Sequence, residues 1–373
     1  MRNRFDGIDL LRGVSIVAVV LHHINLRFVL NGVPLEHALP KQLGRILFWN
    51  GANGVTVFFA ISGFLITTMS LARWGSPAEI RLPEFYRLRF ARIAPLLLAL
   101  LAVLSVLHLA GVRGFVISPE RASLGRALFA ALTFHINRLE SVRGYLPASW
   151  DVLWSLSIEE AFYLFFPLVC RLTRGRMALV AVLSGFVAIG PLARTVLTTN
   201  PLWADYGYLS CMDGIALGVL TALLRNVWKA SAWQLRVLRI SGILLLLLVM
   251  TARPVVAWLH LYQLGLDFTF LALGTCLLLF AMAQENETGE SPTAAVRWFG
   301  RHSYEIYLTH CFIMMWGIEA YLALGLGPVW GWAWYVLMLL LSAILGWMVA
   351  RWYSEPVNRW LRQGLRVGTA GPS

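Results

Sequence analysis

The sequence predicts an all-α polytopic membrane protein of about ten transmembrane helices, with both termini in the cytoplasm. Three observations carry that expectation. Of 373 residues, 58% are apolar and only 13% charged, and the mean hydropathy is positive, a balance that soluble domains of this length rarely show. Runs such as 93–111 and 335–352 approach or reach the roughly 20 residues a helix needs to cross about 30 Å of hydrocarbon. Basic residues collect between alternate runs, the pattern left by cytoplasmic retention of positive loops. β-Barrel alternation is absent. The net charge of +12 has this membrane explanation, which argues against reading it as a nucleic-acid footprint.

The first run, 8–30, has no A-x-A-like exit and continues into a span, so it is expected to stay in the bilayer as a signal anchor. It leaves Arg2 and Arg4 inside and 31–50 outside. The second, 54–72, returns to a loop holding Arg73, Arg81, Arg87, Arg89 and Arg92, from which the third, 93–111, departs. Next comes 124–137, short and interrupted by Arg126. Charge decides its fate. The run 153–171 must return to Arg171, Arg174 and Arg176, so 124–137 stays outside with the rest of 112–151. The remaining spans are 177–198, 209–225, 238–252, 264–283, 303–323 and 331–352. Their cytoplasmic loops hold Arg225, Lys229, Arg236 and Arg239, then Arg297 and Arg301, and the tail holds Arg359, Arg362 and Arg366. The stretch 284–297 reads as a polar linker with no fold of its own. No internal repeat is visible, which weakens a two-half transporter architecture. Residues 1–366 are expected to form a single membrane domain, with a short tail at 367–373. Cys170, Cys211, Cys276 and Cys311 lie in or beside apolar segments without metal-ligand spacing, so packing cysteines and no metal site are expected.

Ionisable residues inside these runs are the candidate site. Arg12 and His23 are eleven residues apart, and eleven steps of about 100° bring the second back within roughly 20° of the first. They therefore share a stripe, and His22 points about 100° away. His23 sits about 16 Å above Arg12, near mid-bilayer if Arg12 marks the inner boundary. Such a histidine usually faces the bundle interior, as a proton acceptor or as a structural group bonded to a neighbouring helix. A second cluster, Ser155, Ser157, Glu159 and Glu160, interrupts the run 153–171. Glu159 is expected near the depth of His23, where a carboxylate can orient an imidazole; an interhelical salt bridge, with Arg12 for instance, is the bland reading. His310 is a third midplane candidate, with packing or hydrogen bonding at least as good an account as catalysis. Arg89 and Arg92, three apart, are neighbours on one face if helical. Two guanidiniums beside an apolar entrance suit a phosphorylated ligand with an acyl-like tail, although a positive-inside anchor explains them too. Gly51, Gly54 and Gly63 with Ser62 permit close helix approach.

Taken together, "IDLLRGVSIVAVVLHH", "GVTVFFAISGFLI", "RFAR" and "WSLSIEEAFYLFFP", followed by "GRHSYEIYLTH" and "WYSEPVNRWLR", resemble the integral-membrane acyltransferase 3 family of carbohydrate O-acyltransferases, over residues 8 to 363. Thr56 departs from the acidic residue many relatives carry there. The resemblance implies a cytoplasmic acyl-coenzyme A donor, with acetyl the expected group, and a hydroxyl of a sugar or surface glycan as acceptor. It implies His23 as general base with Glu159, Arg12, Arg89 and Arg92 on the coenzyme phosphates, and Ser157, Trp154 and His310 in support. It also implies a multi-pass protein of the plasma (inner) membrane, with no permanently bound cofactor. The hydrolase-like domain often appended in the family is not expected here, and a homo-oligomer stays open. The rival reading is a proton-coupled transporter or flippase in which His23, Glu159 and His310 relay protons; a noncatalytic membrane scaffold is the third.

Overall fold

The computed structural model describes residues 6–35, 39–284 and 293–363, and among them every regular element is helical. Among the described residues ten helices are long and apolar enough to cross a membrane, one for each predicted span. They are α1 (Asp6–Leu30), α2 (Gly51–Trp74), α3 (Leu82–Leu109), α4 (Leu153–Thr173), α5 (Arg176–Thr195), α6 (Tyr208–Val227), α7 (Ala232–Thr251), α8 (Asp267–Gln284), α9 (Ser303–Ala323) and α10 (Pro328–Val349). Successive helices alternate in direction, so α1 and α9 run the same way. The end that α1 starts from is called proximal below, the other distal. Arg2, Arg4, Arg366 and most of the 284–297 linker lie outside the described residues.

The stretch 124–137 forms part of two short helices, Leu124–Leu132 and Ile136–Arg143, neither long enough to cross. Ser123 caps the first by accepting from the Arg126 backbone N–H at 3.3 Å. The third span differs more: its helix begins at Leu82, not at 93, because Pro83 sits in the first turn where its missing N–H costs nothing. Pro95 lies inside this helix. Its ring disturbs the backbone ladder, and carbonyls on this stretch take tyrosine hydroxyls: Ile93 from Tyr304 at 3.2 Å and Pro95 from Tyr353 at 3.0 Å. Glycine brings α2 and α6 into contact. A Cβ on Gly63 would strike the carbonyl of Ile215, and one on Gly218 the carbonyl of Ala60, so each helix lends its neighbour a flat patch.

At the distal ends of α5, α6 and α8 a buried ion pair joins three helices. Arg194 Nη2 lies 2.7 Å from Asp213 Oδ2, with both side chains almost wholly enclosed. The guanidinium also donates to Thr269 Oγ1 at 2.6 Å and to the Gly265 carbonyl at 2.8 Å. Asp213 Oδ1 accepts from the Gly214 N–H at 2.9 Å. Such a pair is well solvated by its own network, so losing one member is far costlier than losing both. Asp213→Ala is expected to cost about 3–5 kcal/mol, read as a lowered midpoint of unfolding in detergent.

Glu140, fully buried in the short helix Ile136–Arg143, accepts from the Leu146 backbone N–H at 3.0 Å. Burial and the adjacent Asp151 carboxyl hold its proton on well above the usual carboxylate range. A carboxyl raised on folding binds its proton more tightly in the native state. Its stabilising contribution is therefore complete below the ordinary value of 4.5 and is lost as pH climbs through the folded value. Glu140→Gln, which keeps the acceptor for Leu146, is expected to abolish that alkaline decline in thermal midpoint.

Candidate active site

Arg12 and His23 both meet α9. The Arg12 guanidinium donates to Ser303 Oγ from Nε at 3.1 Å and from Nη2 at 2.8 Å. His23 Nδ1 lies 2.9 Å from His310 Nε2, with ring centroids 5.0 Å apart and planes 27° from parallel. Between these contacts α1 advances about 16 Å and α9 about 10 Å; the reach of the arginine takes up the difference. The shared stripe is thus a shared partner helix. His22 turns away, as its position demands, with Nδ1 2.9 Å from the Phe48 carbonyl and its ring edge-on to Trp49.

A backbone carbonyl sets the protons of this histidine pair. His310 Nδ1 is 2.8 Å from the Tyr307 carbonyl and 3.2 Å from that of Ile306. Carbonyls only accept, so Nδ1 carries the hydrogen and, in the neutral ring, Nε2 is a lone pair. With both rings neutral, His23 Nδ1 must donate to that lone pair, which leaves His23 Nε2 as the basic nitrogen. Among the described residues Nε2 has no hydrogen-bond partner. His310 is fully buried, whereas His23 is only partly so. Tyr307, whose carbonyl anchors the relay, is itself held by a 2.7 Å hydroxyl contact to Ser155 Oγ and a 3.1 Å bond to the Val152 carbonyl. The Cys311 thiol lies 3.5 Å from His310 Nε2.

At the proximal end of the same stripe three guanidiniums gather. The helix that begins at Leu82 places Arg89 and Arg92 on one face, as their spacing requires. Arg89 lies over the rings of Tyr163 at 5.2 Å and Phe85 at 5.9 Å, and Arg92 over Tyr304 at 5.2 Å. Among the described residues only Arg92 of the three forms an ion pair, a long one of 3.8 Å to Glu305, whose Oε1 also accepts from Ser354 at 2.8 Å. Aromatic faces hold a cation in place without cancelling its charge. The cluster can therefore still take an anion.

Glu159 belongs to this cluster. Its Oε2 accepts from the Tyr163 hydroxyl at 3.5 Å, Tyr163 is bonded in turn to Ser62, and Arg12 and Arg89 are the cations in electrostatic reach. Among the described residues no hydrogen bond joins it to His23, and the ring's partner is His310. Glu160 Oε1 is buried without a hydrogen-bond partner among the described residues. Ser157 donates to the Leu153 carbonyl of its own helix at 3.0 Å. Trp154 stacks on Tyr206, 4.0 Å between centroids and 4° from parallel, and meets Phe59 edge-on. Thr56 donates to the Ala52 carbonyl at 3.3 Å. Sequence reasoning did not single out Ser303 or Tyr163, yet both carried a signal: Ser303 is seven residues before His310, two turns on one face, and Tyr163 is four after Glu159. Tyr307 enters through its carbonyl, which no side-chain pattern reveals. The four cysteines are free, three of them buried, and among the described residues no cluster of metal-ligand type is present.

No solved structure matches the chain. Named relatives are similar to it along most of its length. O-acetyltransferase OatA of Staphylococcus aureus is 22% identical over 370 residues, 95% of this chain and 57% of the relative. Peptidoglycan O-acetyltransferase OatA of Listeria monocytogenes is 25% identical over 331 residues, 83% of this chain and 49% of the relative. The chain thus spans about half the length of these relatives. The model of the acyltransferase 3 family, described as an acyltransferase domain, matches residues 5–352, which takes in the Arg12–His23 stripe, the Arg89–Arg92 pair and both histidines: the chain belongs to the acyltransferase 3 family.

Proposed function

We propose that this protein is a plasma-membrane O-acyltransferase that moves an acyl group, acetyl by preference, from cytoplasmic acyl-coenzyme A to a hydroxyl of a cell-surface glycan. The carrying observation is the basic Nε2 of His23, set by the Tyr307 carbonyl through His310 and aligned on one stripe with the arginine cluster. Family membership and the names of the relatives support the same reading. The charge pattern supports a topology with both termini in the cytoplasm, which makes the proximal end the cytoplasmic one.

Arg12, Arg89 and Arg92 hold the coenzyme phosphates, guanidinium to phosphate being a forked, charge-assisted contact. Glu159 and Tyr163 brace that cage; we assign Glu159 there because its bonded and charged neighbours are there. Trp154 and Ser157, both buried in α4, lie distal to Glu159, where Trp154 packs on Tyr206 and Phe59 and Ser157 bonds its own helix. The thioester reaches toward mid-bilayer, where His23 Nε2 takes the proton from the acceptor hydroxyl as its oxygen attacks the thioester carbonyl carbon. The carbon–sulfur bond breaks, and the departing thiolate takes the proton back from His23. The imidazolium formed in between donates from Nδ1 to His310 Nε2, which acts as a carboxylate does beside other catalytic histidines.

His23→Ala is expected to lower acyl transfer by roughly 10²–10⁴-fold, the usual worth of a positioned general base. Mass spectrometry of surface glycans should show one acyl increment missing from both the deletion strain and the His23→Ala strain. Uptake of a labelled solute by vesicles in the absence of any acyl transfer would favour a transporter instead. His310 is a positioning residue. His310→Phe should lower kcat by about 10²-fold with little change in KM for the donor, while His310→Gln, whose amide oxygen still accepts from His23 Nδ1, should recover part of the loss. Equal damage from both changes would show a merely structural role.

A further inference from the structure

At the distal end, remote from the arginine cage, a groove of about 550 Å³ opens among the short helix Lys41–Phe48, the start of α2, the end of α7, the short helix Arg253–Trp258 and the start of α8. Its volume falls in the range that holds small ligands. Arg45, Trp49, Arg253, Tyr262, Asp267 and Phe268 line it. The predicted topology places this end outside, where the charge rule gives arginines no reason to collect. Even so, two arginines line one cavity together with a single acidic residue, and among the described residues neither arginine has an ion-pair partner. Arg253 Nη2 donates to the Trp49 carbonyl at 2.6 Å, which ties α7 to the entry of α2. Arg45 donates no side-chain hydrogen bond among the described residues. The groove also adjoins the histidines. Trp49 meets His22 edge-on at 5.5 Å, and the rings of His22 and His23 are 5.4 Å apart. Gly51 makes this contact possible, because a Cβ there would strike the His22 ring.

We infer that this groove docks the acceptor, and that the acceptor is an acidic glycan, with a carboxylate or phosphate group held between Arg45 and Arg253. Indole and phenyl faces cover the apolar faces of a pyranose ring, and paired guanidiniums select an oxyanion by forked hydrogen bonds. Asp267 remains to accept from sugar hydroxyls. A chain seated here has its next unit one imidazole away from His23. The inference rests on the acyltransferase reading for the word acceptor, and on the groove alone for the binding.

Binding is therefore measured without any acyl donor, by fluorescence anisotropy of end-labelled tetragalacturonate and of its neutral methyl ester, with the protein in phosphatidylcholine nanodiscs. The acid is expected to bind at least tenfold more tightly than the ester. Arg45→Gln should weaken it several-fold and Arg45→Gln/Arg253→Gln at least tenfold, while Arg45→Lys should retain most of the affinity. Arg45→Gln, which breaks no hydrogen bond among the described residues, keeps the test valid if the double variant misfolds. Equal binding of acid and ester, absence of binding by both, or indifference to Arg45→Gln would overturn the proposal. So would displacement of the acid by phosphatidylglycerol in the nanodisc with no loss on Arg45→Gln. Tight, arginine-dependent binding without any acyl transfer in cells would leave the groove standing and sink the enzymatic reading.

Discussion

The parallel pairing of α1 with α9 is the constraint on which the site depends. One helix brings Arg12 and His23, the other Ser303 and His310, and two contacts on one seam fix both depth and rotation. A turn of either helix by one residue, about 100°, would part the imidazoles and carry Arg12 off Ser303. The short helix Ala294–Arg301 packs alongside α1 so closely that a Cβ on Gly13 would meet the Val296 carbonyl and one on Gly300 the Asp9 carbonyl. That contact resists rotation of α1 at the end where Arg12 lies.

Polar groups in hydrocarbon survive only with partners, and the fold supplies these partners across helices. Tyr304 and Tyr353 serve the carbonyls around Pro95, Ser354 serves Glu305, and Arg194 with Asp213 and Thr269 forms a closed set. Tyr335 donates to the buried Asn25 at 2.8 Å. Each bond is also a positional statement, since it is satisfied at only one helix register. Against that background several groups are incompletely used, among them His23 Nε2, the cage and groove arginines, and the buried Glu160 Oε1 and Trp150 Nε1.

Charge is arranged differently at the two ends. Proximal guanidiniums lie on aromatic faces, Arg89 on Tyr163 and Arg92 on Tyr304, so position is held while the positive field is retained. The distal pair faces an open groove with Trp49, Tyr262 and Phe268 beside it. Between the ends lies His23, whose Nε2 is left without a hydrogen-bond partner among the described residues by the relay from the Tyr307 carbonyl through His310. The proposed transfer, with a donor from one side and an acceptor from the other, requires that order of groups.

Much of the fold was legible because its driving patterns are local. Apolar run length predicts ten spans, and the arginines at 92 and 171 exclude 124–137 as an eleventh. The eleven-residue spacing puts Arg12 and His23 on one face of one helix, and helical geometry alone turns His22 away. Ionisable side chains inside or beside apolar runs singled out Arg89, Arg92, Glu159 and His310. What a single chain read in order does not contain is which helix that face meets. Tertiary packing made His310 the partner of His23, set Glu159 with the arginines, and brought Arg45 and Arg253, more than two hundred residues apart, into one groove. The physical reason is that periodicity determines a direction around a helix axis, whereas a partner requires the register and rotation of a second helix, which only the packing of the whole bundle decides.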